Sequence, residues 1–263
     1  MSTPIFDRDR DRVVATALAR GPWDPDHCHG GAPAALLTAL IDALPTAVPM
    51  QVVRLTFDLL RPVPLRPLDV HTRIVRDGKR VQLAEAWLTG AGGVELMRCR
   101  ALRLRVGEVD LPGDAVVDVA PPVIGPEELP RLTGRDDWEA DGFWRAVDVR
   151  MVSGVLGEAG PGTAWFRVVA PLLDGVALTP TARVAAAADF GNGIGSPLEM
   201  GPYLFVNPDL TVHLDRQPDG EWVGLAAASV AQSTGNGLTS STIYDLGGRI
   251  GVAAQSLYVD VTN

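Results

Sequence analysis

Asp189 is the residue whose surroundings point most directly to chemistry. It closes an alanine run, Ala185 to Ala188, and Phe190 follows it. A carboxylate at that place lies in apolar surroundings and against the negative end of a helix dipole. Both disfavour its charge and make it a stronger base near neutral pH. The plainer alternative is that Asp189 caps the loop Gly191-Asn192-Gly193 through its side chain. Gln255 sits between Ala253-Ala254 and Leu257 on an apolar stretch, where a buried amide must find partners, either structural ones or a held water. Gly30 and Gly31 stand just before the apolar run Ala34 to Leu44. Their N–H groups, free of side-chain obstruction, suit a carbonyl oxygen, a phosphate or plain helix entry.

Other constellations carry less. His27-Cys28-His29 has no third ligand at a metal-binding spacing, so no metal is expected. Gly191-Asn192-Gly193-Ile194-Gly195 looks like a nucleotide loop, but it follows a helix rather than a strand and is discarded as such. Ser153, Ser229 and the cluster Thr239 to Thr242 lack a nucleophile-elbow context. Arg98, Arg100, Arg103 and Arg105 form the densest basic stretch. Its strand-like spacing predicts a solvated sheet face, and it is the place to look for a basic path toward a polyanionic ligand.

An internal repeat organises these residues. Leu55-Thr56-Phe57-Asp58-Leu59-Leu60-Arg61 matches Leu210-Thr211-Val212-His213-Leu214-Asp215-Arg216 at a shift of 155 residues, and Gly93, Leu83 and Leu102 fall on Gly248, Leu238 and Leu257 at the same shift. Two copies of one unit follow, each a helix and then an antiparallel meander. The first has its helix at 34–44 and strands near 51–61, 67–76, 80–89 and 94–106. The second has its helix at 178–189 and strands near 203–215, 221–232, 237–245 and 249–261, with extra strands at 143–152 and 163–170. The copies differ where chemistry would sit. Asp42 lies opposite Asp189, Arg100 falls on Gln255, and the segment after Asp189 gains eight residues and a Gly-rich freedom.

Composition excludes whole classes. A net charge of -9 argues against nucleic acid as the main partner. Two distant cysteines, Cys28 and Cys99, fit a reducing compartment. The charged N-terminus is no signal peptide, and the longest apolar stretch, Ala32 to Met50, is broken by Asp42, Pro45 and Pro49. A cytoplasmic protein without a membrane partner is expected.

These features together resemble the double-hotdog acyl-CoA thioesterases, the type II acyl-CoA thioesterase family. The resemblance rests on Gly30-Gly31, on Ala188-Asp189-Phe190 ending an Ala-rich helix, on the strand Asn207 to Leu214, and on the closing strand Val252 to Leu257. It implies an α+β double hotdog, two tandem helix-wrapped antiparallel sheets fused in one chain. The expected division is an N-terminal hotdog at 1–106, a linker at 107–140 and a C-terminal hotdog at 141–263. The implied activity is hydrolysis of a fatty or aryl acyl-CoA to free acid and CoA. Family members orient and deprotonate a water with an Asp on the second helix, a Thr or similar residue on the next strand and a Gln on the last. Those positions match Asp189, Asn207 and Gln255. Asn for Thr is a departure, since an amide holds a water but cannot relay a proton as a hydroxyl can; Thr211 is a candidate substitute. Gly30 and Gly31 would serve the oxyanion or the CoA phosphates. No cofactor beyond the CoA of the substrate and no metal are implied, and a homodimer or larger assembly is. Two rivals stand beside this reading. One is a non-catalytic acyl-CoA or lipid-binding double hotdog, kept open by Asn207. The other is a hotdog enoyl-CoA hydratase, which pairs an Asp with a His five residues on, as Asp24 and His29 are spaced, although that family's intervening Asn-Pro is missing.

Overall fold

The computed structural model describes residues 3–113, 115, 124–133 and 142–262. Much of the expected linker, with Trp138, lies outside the described residues. The first half holds β1 (Phe6–Asp9), β2 (Arg12–Ala15), α1 (Gly31–Asp42), β3 (Met50–Leu59), β4 (Pro67–Arg76), β5 (Val81–Thr89) and β6 (Glu95–Arg105). The second holds β7 (Val147–Ser153), β8 (Gly162–Val168), α2 (Pro180–Ala188), the one-turn α3 (Gly191–Ile194), β9 (Tyr203–Val206), β10 (Asp209–Leu214), β11 (Val223–Ala231), β12 (Asn236–Asp245) and β13 (Gly248–Val261). The helices start where their sequences allow. Thr179 Oγ1 accepts the Ala182 N–H at 3.1 Å, and Pro180 takes the first position of α2, where no N–H is needed.

The strands form one antiparallel sheet in the order β1-β2-β4-β5-β6-β3-β10-β13-β12-β11-β8-β7, with β9 added on β13. The order is palindromic. At its centre β3 and β10 pair antiparallel with Thr56 opposite Thr211, its own repeat counterpart, so a pseudo-two-fold axis passes between these two residues. Two helix-wrapping sheets are thereby joined edge to edge, as a double hotdog requires. α1 and α2 lie against each other on the inner face, α1 over β3, β5 and β6, and α2 over β8, β10 and β11. Leu36, Leu37 and Ile41 pack with Leu55, Phe57, Leu88 and Cys99, and the alanines of α2 with Phe166, Leu210, Val212 and Leu225, in one continuous core. Among the described residues no helix is long and apolar enough to cross a membrane.

Several sequence expectations need correction. The strand expected at 203–215 is two strands. Pro208 has no N–H for the ladder, and the chain changes partners there, β9 pairing only with β13 while β10 pairs with β3 and β13. The β1–β2 hairpin was not anticipated, because its short charged strands carry almost no hydrophobic alternation. The gapless repeat also slips. Ala84 and Thr239 are repeat counterparts, and Ala84 pairs with Ala101 whereas Thr239 pairs with Gln255. The counterpart of Gln255 is therefore Ala101 and not Arg100, because the β12–β13 turn is one residue shorter than the β5–β6 turn. One residue of slip exchanges sheet faces. Arg100 is exposed on the outer face, and Gln255 is buried on the helix face.

Candidate active site

α1 and α2 run antiparallel, so each end of the pair brings the start of one helix to the finish of the other. At one end Asp189 is the C-cap of α2 and only 6% exposed. Asn207 Nδ2 donates to its Oδ1 at 3.0 Å, and His29 Nδ1 stands 3.0 Å from its Oδ2. Gly30 meets the carboxylate directly: a Cβ there would lie 2.8 Å from Oδ2 and 3.1 Å from Oδ1. The isolated carboxylate expected from the alanine run is thus a partnered one. Asn207 reaches it because the β9–β10 break leaves its amide free of the sheet, and the second amide hydrogen goes to Asp209 O at 3.3 Å.

In the sequence His29 reads either as one of a His-Cys-His triplet or as the partner of Asp24. Its ring packs against both Phe143 and Phe190, with centroids 5.1 and 4.4 Å away, and those two rings stack on each other at 5.8 Å. Its Nδ1 also faces the Gly31 N–H at 3.0 Å. One ring nitrogen cannot donate and accept at once. With a proton on Nδ1, His29 donates to Asp189; without it, Nδ1 accepts from Gly31, and a proton on Asp189 would then have to join the pair. The Gly31 N–H is engaged by His29 only while Nδ1 carries no proton. The available signal was position: His29 directly precedes the Gly-Gly at the helix start.

Gln255 comes to the same corner by another route. Its Oε1 accepts the Asn192 N–H at 3.2 Å, while its buried Nε2 meets no acceptor among the described residues. Gly191 is required for this approach, since a Cβ would sit 2.7 Å from Gln255 Oε1 and 2.8 Å from Ser241 Oγ. The Gly-rich segment after Asp189 is thus close-packed, and it forms a short helix of its own, contrary to the expected loop freedom. Thr211 is not brought to Asp189. It lies in a groove on the outer sheet face with His213, Thr242 and Ala254.

The opposite end of the helix pair shows what the related corner became. Thr179 Oγ1 donates to Asp42 Oδ2 at 2.5 Å. Burial raises the Asp42 carboxyl above its usual range, against the opposing pull of the Thr179 hydroxyl and Arg103. The Arg103 guanidinium is buried and donates to Leu44 O at 3.0 Å, Gln82 Oε1 at 2.9 Å and Ile41 O, closing the C-terminus of α1. The expected basic stretch is divided between the two faces of the sheet. Arg103 is a helix cap on the inner face. Arg98 is held by Glu95 and Glu85, and Arg100 by Glu85, on the outer face.

Two cavities meet at Asp189. Both run beneath the loop Gly21–Asp24 and over His29, Asp189 and Asn192. One, of about 220 Å³, is walled by Trp23, Trp144, Leu156, Phe190, Met200 and Phe205. The other, of about 450 Å³, passes Gly30, Asn207 and Met97 toward the exposed Leu60, Arg61 and Tyr258. Asp189 and Asn207 share this second space, whereas Gln255 lies behind Asn192. Cys28 also lines it, but burial pushes its thiol up to about 12, which keeps it protonated and a poor nucleophile. The Asp24–His29 pairing of a hydratase does not form. Asp24 faces His27 Nδ1 at 3.1 Å and accepts the Asp26 N–H, and His29 turns to Asp189. No group of three or more His, Cys, Asp or Glu suited to a metal occurs among the described residues.

Comparison with known proteins agrees with this architecture. A protein of Alicyclobacillus acidocaldarius with a hot dog fold superposes with a TM-score of 0.73 at 16% identity, over 98% of this chain and 96% of its own. The acyl-CoA thioesterase II TesB2 of Mycobacterium marinum gives 0.66 at 19% identity, over 98% and 96%. A tesB protein of Mycobacterium avium subs paratuberculosis gives 0.63 at 17%, over 97% and 96%. At these identities the likeness shows the fold. None of the curated proteins compared with the chain matches it. The family comparison goes further: the acyl-CoA thioesterase N-terminal domain matches residues 19–104 and the acyl-CoA thioesterase C-terminal domain residues 126–259. The chain belongs to the acyl-CoA thioesterase family, a family of thioester hydrolases with the double hotdog fold.

Proposed function

We propose that the chain hydrolyses an acyl-CoA by a water that Asp189 deprotonates. The observation that carries this reading is the placement of Asp189. It is a buried carboxylate where two cavities meet, fixed by Asn207 on one oxygen and facing His29 on the other. Each carboxylate oxygen keeps a further lone pair, so one can take a proton from a water in the shared space. The water oxygen attacks the thioester carbonyl carbon, and negative charge moves to the carbonyl oxygen. The Gly30 N–H, at the positive end of α1, is the donor assigned to it. Collapse breaks the carbon–sulfur bond, and the proton on Asp189 passes to the departing sulfur, giving free acid and CoA. Asn207 orients the carboxylate, and its own Oδ1 can accept a hydrogen of the water. Gln255, behind Asn192, holds that residue's backbone against the site through its Oε1. The division into an N-terminal hotdog, a linker and a C-terminal hotdog, a cytoplasmic setting and a homodimeric or larger assembly belong to the same reading.

The test is thiol release from acyl-CoAs by the wild type and by Asp189→Asn. A fall of about 10²–10⁴-fold is expected for loss of a general base. Undiminished release by the variant removes the mechanism. Binding of acyl-CoA without turnover by the wild type would instead make the chain an acyl-CoA carrier.

A further inference from the structure

We propose that the acyl group is uncharged and has about eight carbons, and that it lies in the smaller chamber while the CoA arm leaves through the larger one. The inference rests on the hydrolytic reading only for placing the thioester carbonyl beside Asp189. The two cavities differ in what they offer on either side of that point. The smaller is walled by Trp23, Trp144, Leu156, Phe190, Met200 and Phe205, of which Leu156, Phe190 and Phe205 are buried. Trp23 meets Phe205 edge to face at 5.6 Å and forms part of its roof. The larger widens toward exposed residues, including Arg61, as a long polar arm requires.

Size sets the length. At about 30 Å³ per water-sized group, 220 Å³ holds roughly seven or eight heavy atoms. An acetyl group would leave most of the apolar wall uncovered, and a sixteen-carbon chain would not fit. Charge sets the polarity. Asp24 and Asp189 both line the chamber, and the one arginine there, Arg20, donates its Nε to Pro25 O at 2.8 Å. Beyond Asp189 the wall is Trp144, Leu156, Phe190, Met200 and Phe205, so a terminal carboxylate on the acyl group would exchange water for an apolar wall. A straight octanoyl and a phenylacetyl group share the required chemistry, an apolar body of eight carbons.

The experiment measures kcat/KM for acetyl-, butyryl-, octanoyl-, dodecanoyl-, palmitoyl-, phenylacetyl- and succinyl-CoA. In parallel, binding of the same esters to Asp189→Asn is followed by tryptophan fluorescence. About a fourfold gain per methylene is expected up to eight carbons, followed by at least a tenfold fall at sixteen. Phenylacetyl-CoA, with the same eight carbons, should come within about tenfold of octanoyl-CoA. Leu156→Ala should move the optimum to longer chains. Gly193→Val should move it to shorter ones, since a Cβ at Gly193 has only ordinary contact, 3.4 Å, with Leu156 Cδ1. Palmitoyl- or succinyl-CoA matching octanoyl-CoA, or a Gly193→Val profile identical to wild type, would overturn the assignment. Length-dependent binding with no turnover of any ester would sink the hydrolytic reading and leave the chamber standing. Turnover without length dependence would do the reverse.

Discussion

Gly30→Ala isolates the geometry of Asp189 from the stability of the fold. Gly30 has φ -57° and ψ -28°, ordinary right-handed helical values that alanine adopts readily. The backbone therefore has no objection, and the smaller entropy of the unfolded chain would by itself favour alanine by up to about 1 kcal/mol. The added methyl would stand 2.8 Å from Asp189 Oδ2, where contact begins near 3.4 Å. The carboxylate must retreat by about 0.6 Å, away from a position fixed by Asn207 and faced by His29. Displacements of that size exceed the tolerance of a catalytic group, and about 1 Å can lower a rate about 100-fold. The expected result is a kcat lowered about 10–100-fold with a melting temperature close to wild type. Gly31→Ala is the contrasting control. Its Cβ would lie 2.6 Å from Ala186 O, a backbone atom of the neighbouring helix that cannot step aside, so stability should fall. Measurement of thiol release alongside thermal unfolding separates the two. If Gly30→Ala turned over octanoyl-CoA at the wild-type rate, Asp189 would not be the group whose position limits catalysis.

Three further outcomes are expected. Asn207→Thr, which puts a hydroxyl in place of the amide, should keep kcat within about tenfold of wild type, whereas Asn207→Leu, which leaves Asp189 Oδ1 without its donor, should lose about 100-fold; equal rates for the two would remove the orienting role. Because burial holds the Asp42 carboxyl above its ordinary value of 3.8, the fold binds that proton more tightly than the unfolded chain does, so ionisation of Asp42 lowers stability as pH rises from about 4 through the folded value. Asp42→Asn should consequently melt higher than wild type at pH 7, with the gap closing below pH 4, and a pH-independent gap would contradict this. Arg103→Ala should destabilise by about 3 kcal/mol in denaturant titration, since it removes the guanidinium from Ile41 O, Leu44 O and Gln82 Oε1, whereas Arg100→Ala should leave the KM for acyl-CoA unchanged.

Most of the scaffold was legible because it depends on patterns of residue type. The two helices follow from alanine- and leucine-rich runs, and the strands from alternation such as Leu55, Phe57 and Leu59. The repeat gave their order. What escaped depends on contacts between distant segments. A glycine-rich run looks alike whether it is loose or packed, and only the approach of Gln255 and Ser241 to Gly191 shows that it is packed. Arg103 reads as one of four similar arginines until β6 turns it inward to the end of α1. A single missing turn residue displaced the repeat register at Gln255, where the two copies seemed most informative. The partnership of His29 with Asp189 has no local pattern, because the two lie in different halves of the chain.

Neither half of the chain contains a complete corner. His29 and Gly30 come from the first repeat, and Asp189, Asn207 and Gln255 from the second, drawn together across the axis at Thr56 and Thr211. Two separate identical units would build two identical corners by symmetry. Joining the units in one chain lets each corner be edited alone, and here the editing is visible: one end keeps Asp, His, Asn and glycine, and the other holds Asp, Thr and a capping arginine. The covalent join therefore sets the stoichiometry. On the proposed reading there is one reacting centre for every two units, and the second corner clasps the helices on which the first depends.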